Sequence, residues 1–315
     1  MEALILKFFT LPNTNLEAAR IGLGCMRIGD MTIEALEELI FVALENGVNF
    51  FDHADIYGGG QSEALFGEVL KRNPDIRSKM IIQTKCGIIP GGSPGKRFDA
   101  SKEHIISSVD KALERLQTDY IDILLLHRPD ALADPREIAD TFDGLQKSGL
   151  VHHFGVSNYT PMQMQLLQKH MKTSLIVNQI QLSIIHSTAL DAGMFMNMVA
   201  PEAVDRDNGV IDYCYLNDIT IQPWCPLQAS WAEGTFLDHP NYPKLNKTLQ
   251  TLADEYGVNK NAIALAWLLR HPAEMQPIVG TTSVKRLKEL VRATDVELTR
   301  QQWYDIYLAE EKPLP

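Results

Sequence analysis

Long apolar runs, closely spaced cysteines and an excess of positive charge are all missing from this sequence. No apolar run approaches the roughly 20 residues of a membrane-spanning helix, so we expect no membrane association. The four cysteines form no Cys-x-x-Cys pair, which argues against a metal site and favours reduced thiols in a cytoplasmic protein. A net charge of −11 at pH 7 argues against nucleic-acid binding.

A break in composition that would mark a second domain is also missing from the 315 residues. Hydrophobic residues make up 45% of the chain, which is enough for a substantial core and argues against disorder. We therefore predict a single domain that spans residues 1–315.

Short apolar strands alternate with amphipathic helices along the chain, which is typical of a parallel sheet. The pattern predicts a last helix over 284–292, a loop over 91–95 and one helix near 209–217 in the weakly periodic stretch 183–215. The predicted strands cover residues 19–25, 48–51, 79–85, 121–126, 151–157, 176–181, 219–224 and 276–279.

About eight strand–helix units in one domain favour a closed (β/α)8 TIM barrel over an open sheet. The open sheet would carry a Gly-x-Gly-x-x-Gly nucleotide motif after its first strand. Gly22-Leu23-Gly24 is followed by Cys25, Met26 and Arg27, so the third glycine is missing. We therefore predict an α/β protein with the closed barrel.

Ionisable residues follow three consecutive predicted strands. Asp52 ends the second strand, Lys85 the third and His127 the fourth, while Tyr57 lies in the glycine-rich loop after Asp52. The carboxyl ends of barrel strands form one rim, where the active sites of such barrels lie. Each residue alone has an ordinary structural explanation, but together they predict an active site. His53 and Asp55 compete with them within the same loop.

The sequence resembles the aldo-keto reductase family over nearly its whole length, and most of all its bacterial oxidoreductase branch. Thr84-Lys85-Cys86-Gly87 and His127-Arg128-Pro129-Asp130 are the motifs similar to that branch. The other matching motifs are Asp52-x-Ala54-x-x-Tyr57-Gly58 with Glu63, Leu124-Leu125-Leu126-His127, Gly155-Val156-Ser157-Asn158 and Asn178-Gln179. The resemblance implies an oxidoreductase that reduces a small aldehyde or ketone to an alcohol with NADPH.

The resemblance also implies roles for the strand-end residues. Tyr57 would be the general acid that protonates the carbonyl oxygen as hydride arrives. A free tyrosine has a pKa near 10, and a neighbouring Lys85 ammonium would lower that value. Asp52 would hold Lys85 in place, and His127 would orient the carbonyl.

Further residues are implied to bind the cofactor. Ser157, Asn158 and Gln179 would hold the carboxamide of the nicotinamide, and Trp224 would stack on its ring. The remaining residues would follow the pyrophosphate (Cys225, Leu227), the 2′-phosphate (Gly280, Thr281, Thr282, Arg286) and the adenine (Glu289).

Gly280 stands where many family members have lysine, so NAD(H) use is not excluded beside NADP(H). Arg128 stands where the best-known members have tryptophan, which changes the wall of the substrate pocket.

Two alternatives stay open from the sequence. Lys85 at a barrel strand end is also suited to the nucleophile of a Schiff-base aldolase. A cofactor-binding redox sensor with negligible turnover is the second alternative. Neither the physiological substrate nor the oligomeric state follows from the sequence.

Overall fold

Eight parallel strands close into a barrel within the part of the chain that the structure describes. This computed structural model describes residues 8–91, 95–310, 312 and 314, so residues 92–94 of the predicted loop lie outside it. The strands follow one another around the barrel in chain order, and helices lie between consecutive strands in the sequence. The predicted (β/α)8 fold is confirmed.

The elements of the described residues are numbered here in chain order. The barrel strands are β3 (Gly22–Gly24), β4 (Phe50–Asp52), β5 (Ile81–Cys86), β8 (Ile121–Leu126), β9 (Val151–Ser157), β10 (Leu175–Gln181), β11 (Thr220–Trp224) and β14 (Ile278–Val279). Short hairpins are formed by β1 (Phe8–Thr10) with β2 (Glu17–Ala19), β6 (Ile88–Ile89) with β7 (Arg97–Phe98), and β12 (Gln228–Ser230) with β13 (Gly234–Thr235).

The α-helices are α1 (Ile33–Glu45), α2 (Gln61–Arg72), α3 (Lys102–Leu116), α4 (Pro135–Lys147), α5 (Pro161–Gln168), α6 (Thr188–Met194), α7 (Val210–Leu216), α8 (Pro243–Tyr256), α9 (Lys260–Leu269), α10 (Val284–Val291) and α11 (Arg300–Leu308). Several begin at a side-chain cap that is visible in the sequence. Thr32 accepts a hydrogen bond from the Ala35 amide at the start of α1, and Asp134 accepts one from Arg136 before α4. Such caps stabilise a helix start by about 1 kcal/mol.

Strand β8 shows why the apolar runs become barrel strands. All six of its residues are buried, since the strand has the barrel interior on one face and helices on the other. Asp122 is its only polar residue, and its carboxylate lies 2.8 Å from Arg77 and accepts a hydrogen bond from the Ile82 amide. The charge is therefore compensated, and the rest of the strand contributes apolar surface.

The hairpin β1–β2 closes the base of the barrel. Its Leu11 and Ala18 pack in one apolar cluster with Phe50, Leu125 and Val177. The first barrel strand is shorter than the range 19–25 predicted for it, because the chain forms β2 and β3 separately. Hydrogen bonds from the side chains of distant residues hold Ala19 at this bend: its amide donates to Asn49 and its carbonyl accepts from Gln276.

The prediction that 284–292 is the last helix is also wrong, because α11 follows it. Thr299 and Gln302 form a capping box at its start, a pattern that the sequence carries. Trp303 stacks on Trp267 with ring centroids 4.8 Å apart, which anchors α11 on α9.

In the described chain no helix is long and apolar enough to span a membrane, and no His, Cys, Asp and Glu side chains cluster as metal ligands.

Candidate active site

A cavity of about 870 Å³ lies at the carboxyl ends of the barrel strands. Its wall includes Asp52 at the end of β4 and Trp224 at the end of β11, as well as Tyr57 after β4 and His127 after β8. It also includes Thr281 and Arg286 at the amino end of α10. The cavity thus joins the predicted catalytic rim to the predicted phosphate-binding helix.

The strand-end group, Asp52, Tyr57, Lys85 and His127, comes together as the sequence pattern predicts. Lys85 is fully buried, and its Nζ donates to Asp52 Oδ2 at 2.8 Å, to the His53 carbonyl at 2.7 Å and to Tyr57 Oη at 3.0 Å. The rings of Tyr57 and His127 meet edge to face, with centroids 6.1 Å apart. Lys85 lies behind Tyr57, which forms part of the cavity wall.

Backbone hydrogen bonds hold the loop that carries Tyr57, both to strand β5 and within the loop itself. The amide of Asp55 donates to the Lys85 carbonyl at 3.0 Å, and the amide of Tyr57 donates to the Ala54 carbonyl at 3.0 Å. Gly58, Gly59 and Gly60 follow with φ values of 58°, 65° and 96°, a left-handed run that suits glycine. This turn leads directly into α2. Tyr57 therefore lies in a short loop between β4 and α2 whose backbone is held by hydrogen bonds.

The charge on Lys85 follows from its contacts. Burial alone would lower its pKa, but Asp52 and Tyr57 outweigh that effect and raise the pKa above its ordinary value. Burial raises the pKa of Tyr57, while the Lys85 ammonium opposes this increase. Lys85 therefore lowers the pKa of Tyr57 as expected, but burial has the larger effect and keeps that pKa above its ordinary value. A protonated phenol beside an ammonium can donate a proton and then be stabilised as phenolate.

The three other ionisable side chains here differ in access to the cavity. Burial lowers the pKa of His127 to about 2, so this cavity-lining imidazole is neutral and can donate or accept a hydrogen bond. Burial lowers the pKa of His53 to about 3, and its ring packs edge-on against Phe66. Burial raises the pKa of Asp55 to about 7. Neither His53 nor Asp55 lines the cavity.

A column of glutamines supports Asp52 from inside the barrel. Gln83 Nε2 and Gln179 Nε2 donate to Asp52 Oδ1 at 2.6 and 3.0 Å, and both also donate to Gln222 Oε1. Gln222 then donates to Gln276, which reaches the Ala19 carbonyl at the base. Sequence reasoning missed the role of Gln83, Gln222 and Gln276, although polar residues inside strands expected to be buried were an available signal.

A second group of predicted residues forms a hydrogen-bonded series beside the strand-end group. Trp224 Nε1 donates to Asn158 Oδ1 at 3.1 Å, and Asn158 Nδ2 donates to Ser157 Oγ at 2.7 Å. Ser157 Oγ in turn donates to the Gln179 carbonyl at 2.9 Å. All four residues line the cavity, which gives one patch of its wall an indole and several amide and hydroxyl groups.

The α10 segment, Gly280, Thr281, Thr282 and Arg286, is only partly buried, with Thr281 its one buried residue. Gly280 and Arg286 are exposed, and a Cβ on Gly280 would have no atom within 4 Å. Ser283 caps the helix through the Arg286 amide. Gly280, Thr281 and Arg286 line the cavity, as do Cys225 and Leu227, whereas Thr282 and Glu289 do not.

Several lining residues were not anticipated. Trp231 lies between β12 and β13, and Arg27 and Asn261 also line the cavity. Trp231 is 66% exposed, and its ring centroid lies 6.3 Å from that of Trp224. The available signal in the sequence was a tryptophan in the segment after β11. That Trp231 lies at the cavity depends on the β12–β13 hairpin.

Comparison with known proteins identifies the family. The model of the Aldo/keto reductase family matches residues 20–310. This chain belongs to the aldo/keto reductase family. It is therefore an oxidoreductase that acts on carbonyl compounds, in a family whose members generally bind nicotinamide cofactors.

Similar members of the aldo/keto reductase family are bacterial oxidoreductases. The 6-dehydroglucose reductase of Agrobacterium fabrum is 36% identical over 93% of this chain and 94% of its own length. Oxidoreductase YdhF of Escherichia coli is 36% identical over 92% of this chain and 93% of its own length. A crystal structure of the aldo-keto reductase Tm1743 with the inhibitor epalrestat has a TM-score of 0.75. At 24% identity, over 96% of this chain and 98% of Tm1743, it shows a shared fold.

Proposed function

We propose that this protein reduces an aldehyde or ketone to an alcohol with NADPH as hydride donor and Tyr57 as general acid. The observation that supports this most directly is a hydrogen bond of 3.0 Å from the buried Lys85 Nζ to Tyr57 Oη. Tyr57 itself lies at the cavity wall. Asp52 holds the ammonium on its other side at 2.8 Å. A proton donor with a fixed cation behind it is what carbonyl reduction needs.

The proposed chemistry assigns one task to each side chain. A bound reduced nicotinamide supplies the hydride that adds to the carbonyl carbon. The Tyr57 hydroxyl donates its proton to the carbonyl oxygen, and Lys85 stabilises the phenolate that remains until solvent reprotonates it. His127, neutral because burial lowers its pKa to about 2, donates a hydrogen bond that orients the carbonyl.

The polar wall of the cavity suits a nicotinamide dinucleotide. Asn158, Ser157 and Gln179 offer amide and hydroxyl groups for the carboxamide, beside the indole of Trp224. The amino end of α10 offers backbone N–H groups and the positive end of the helix dipole to a phosphate. Arg286 and Thr281 add polar side chains there, which favours the 2′-phosphate of NADP(H) over NAD(H).

The geometry disfavours the Schiff-base aldolase. A nucleophilic lysine must be neutral and must reach the substrate. The pKa of Lys85 is raised by Asp52 and Tyr57, its side chain is fully buried, and it does not line the cavity.

Fluorescence titration with NADPH and NADH, followed by turnover assays, tests the proposal. The carbonyl panel includes simple aldehydes, quinones, α-dicarbonyls and 6-dehydroglucose, since the A. fabrum relative is named a 6-dehydroglucose reductase. We expect tighter binding of NADPH and measurable reduction. Tyr57→Phe should bind NADPH normally and lose nearly all turnover.

Three results would contradict this proposal in different ways. Failure to bind either nucleotide would exclude the reductase. Binding without turnover across the panel would favour the redox sensor. Reduction by Tyr57→Phe at the wild-type rate would remove Tyr57 as the acid.

A further inference from the structure

The cavity wall carries more positive than negative charge, although the whole chain has a net charge of −11. Three guanidinium groups line it: Arg27, Arg128 and Arg286. Its two carboxylates, Asp52 and Asp238, form salt bridges with Lys85 and Lys260. The cavity is therefore suited to a ligand, or a pair of ligands, with several negative groups.

Arg128 is the most enclosed of the three arginines. It is half-buried, whereas Arg27 and Arg286 are exposed. Burial lowers the pKa of Arg128, and no carboxylate opposes that effect. Across the described residues, its guanidinium has no salt bridge and no hydrogen-bond partner.

The carboxylate nearest to Arg128 in the sequence is engaged elsewhere. Asp130, two residues further on, accepts hydrogen bonds from the Ala100 amide at 3.0 Å and the Leu132 amide at 2.9 Å. No carboxylate acts on the pKa of Arg128. Arg128 thus keeps its donors free for a molecule in the cavity.

The three arginines lie beside different parts of the proposed site. Arg286 is in the first turn of α10. Arg27 is close enough to Cys225 to oppose the rise in the pKa of that thiol, which burial brings to about 11. Arg128 directly follows His127 and helps to keep that imidazole neutral. With the 2′-phosphate of the proposed cofactor at Arg286 and its pyrophosphate at Arg27, Arg128 would be left beside His127, the residue proposed to orient the carbonyl.

We propose that Arg128 binds an anionic group of the substrate, so that the substrate is an aldehyde or ketone that also carries a carboxylate or phosphate. The proposal rests on the reductase function. Guanidinium pairs both oxygens of such a group through parallel N–H donors, which adds orientation to affinity. Arg128 would then set which carbonyl compounds are reduced, while Tyr57 and His127 act on the carbonyl itself.

Matched substrates test this assignment. The ratio of kcat/KM for 4-oxobutanoate to that for butanal, and for glyceraldehyde 3-phosphate to glyceraldehyde, is measured for wild type, Arg128→Met and Arg128→Lys. We expect wild type to prefer at least one anionic substrate of a pair. Arg128→Met should lower kcat/KM for that substrate by about 10- to 100-fold more than for its neutral partner. Arg128→Lys should keep part of the preference, because the charge remains and the paired donors do not.

The two pairs separate the sources of the negative charge. A preference confined to 4-oxobutanoate assigns a carboxylate, and one confined to glyceraldehyde 3-phosphate assigns a phosphate. No preference in either pair, or an equal loss on charged and neutral substrates in Arg128→Met, overturns the subsite while the reductase function stands. An unchanged melting temperature and NADPH affinity show that Arg128→Met is folded.

A binding experiment separates failure of the subsite from failure of the reductase function. Butanedioate, which has no carbonyl to reduce, is titrated against tryptophan fluorescence with and without NADPH. Binding that weakens by about 10- to 100-fold in Arg128→Met supports the anion subsite even if no aldehyde is reduced. Absence of binding, or equal binding to both proteins, overturns it.

Discussion

The strand-end group and the α10 segment both contribute residues to the wall of one cavity, but they differ in how much of their geometry the fold sets. Lys85 makes three hydrogen bonds and is fully buried, and Asp52 accepts from two glutamines besides. Gly280 and Arg286 are exposed, and the guanidinium of Arg286 has no partner within the described ranges.

This difference indicates which interactions must exist before a ligand arrives. A proton donor has to be oriented in advance, since small displacements reduce the rate strongly. A phosphate-binding segment can gain its contacts when the ligand supplies the charge. We therefore expect variants of the strand-end group to lower kcat, and variants of the α10 segment to change cofactor affinity.

The largest expected effect is that of Lys85→Met. Without the ammonium, the Tyr57 phenolate loses its stabilising cation, and kcat/KM should fall by about 10²- to 10⁴-fold. The variant also leaves Asp52 as a buried unpaired carboxylate, which should cost about 3–5 kcal/mol of stability. Steady-state kinetics and urea unfolding measure the two effects.

Lys71→Met, which changes an exposed lysine of α2, is the matched control and should alter neither quantity. A Lys85→Met enzyme that retains wild-type turnover would show that the ammonium is not part of the proton donor.

Gln83→Leu should have a smaller effect of the same kind. It removes one donor from Asp52, so about 0.5–1.5 kcal/mol of hydrogen bonding is lost and kcat should fall up to about tenfold. Asp52 then acts more strongly on Lys85 and Tyr57, and its negative charge raises the pKa of Tyr57. The phenol stays protonated to higher pH, so the alkaline limb of the kcat profile for reduction should move to higher pH.

Gln276→Leu provides the matched control for Gln83→Leu. Gln276 belongs to the same column but reaches the Ala19 carbonyl, not Asp52. We expect it to lower stability with little change in the pH profile. Equal shifts in both variants would indicate a general loss of packing and not a specific effect on Asp52.

The smallest expected effect on turnover is that of Arg286→Gln. Loss of one charge-assisted hydrogen bond should raise the NADPH dissociation constant by about tenfold and leave the constant for NADH and kcat unchanged. Fluorescence titration with both nucleotides measures this. Equal weakening of NADPH and NADH would place Arg286 away from the 2′-phosphate, and a fall in kcat would weaken the contrast between the two regions.

Local patterns in the sequence predicted much of the fold. Alternating strands and helices, with the third glycine of the nucleotide motif missing, indicated the closed barrel. The order of Asp52, Lys85 and His127 at consecutive strand ends indicated that they would meet, because strand ends of a parallel barrel share one rim. These inferences need only chain order and the period of the elements.

Other features depend on contacts between residues far apart in the sequence. The division into β2 and β3 follows from the bonds of Ala19 to Asn49 and Gln276. The docking of α11 depends on Trp303 meeting Trp267. The glutamine column joins β5, β10, β11 and the segment before β14, so no local period reveals it.

By itself, the sequence determined the barrel, the family resemblance and the set of ionisable residues at the rim. Only the tertiary structure decided the protonation of those residues and which charged side chain of the cavity wall has no partner. The pKa of Tyr57 lies above its ordinary value because burial raises it more than Lys85 lowers it. Arg128 has no carboxylate partner within the described residues, and Asp130, two residues further on, bonds to backbone amides instead. Burial and pairing depend on the distances between side chains from separate strands and helices, which the order of residues does not contain.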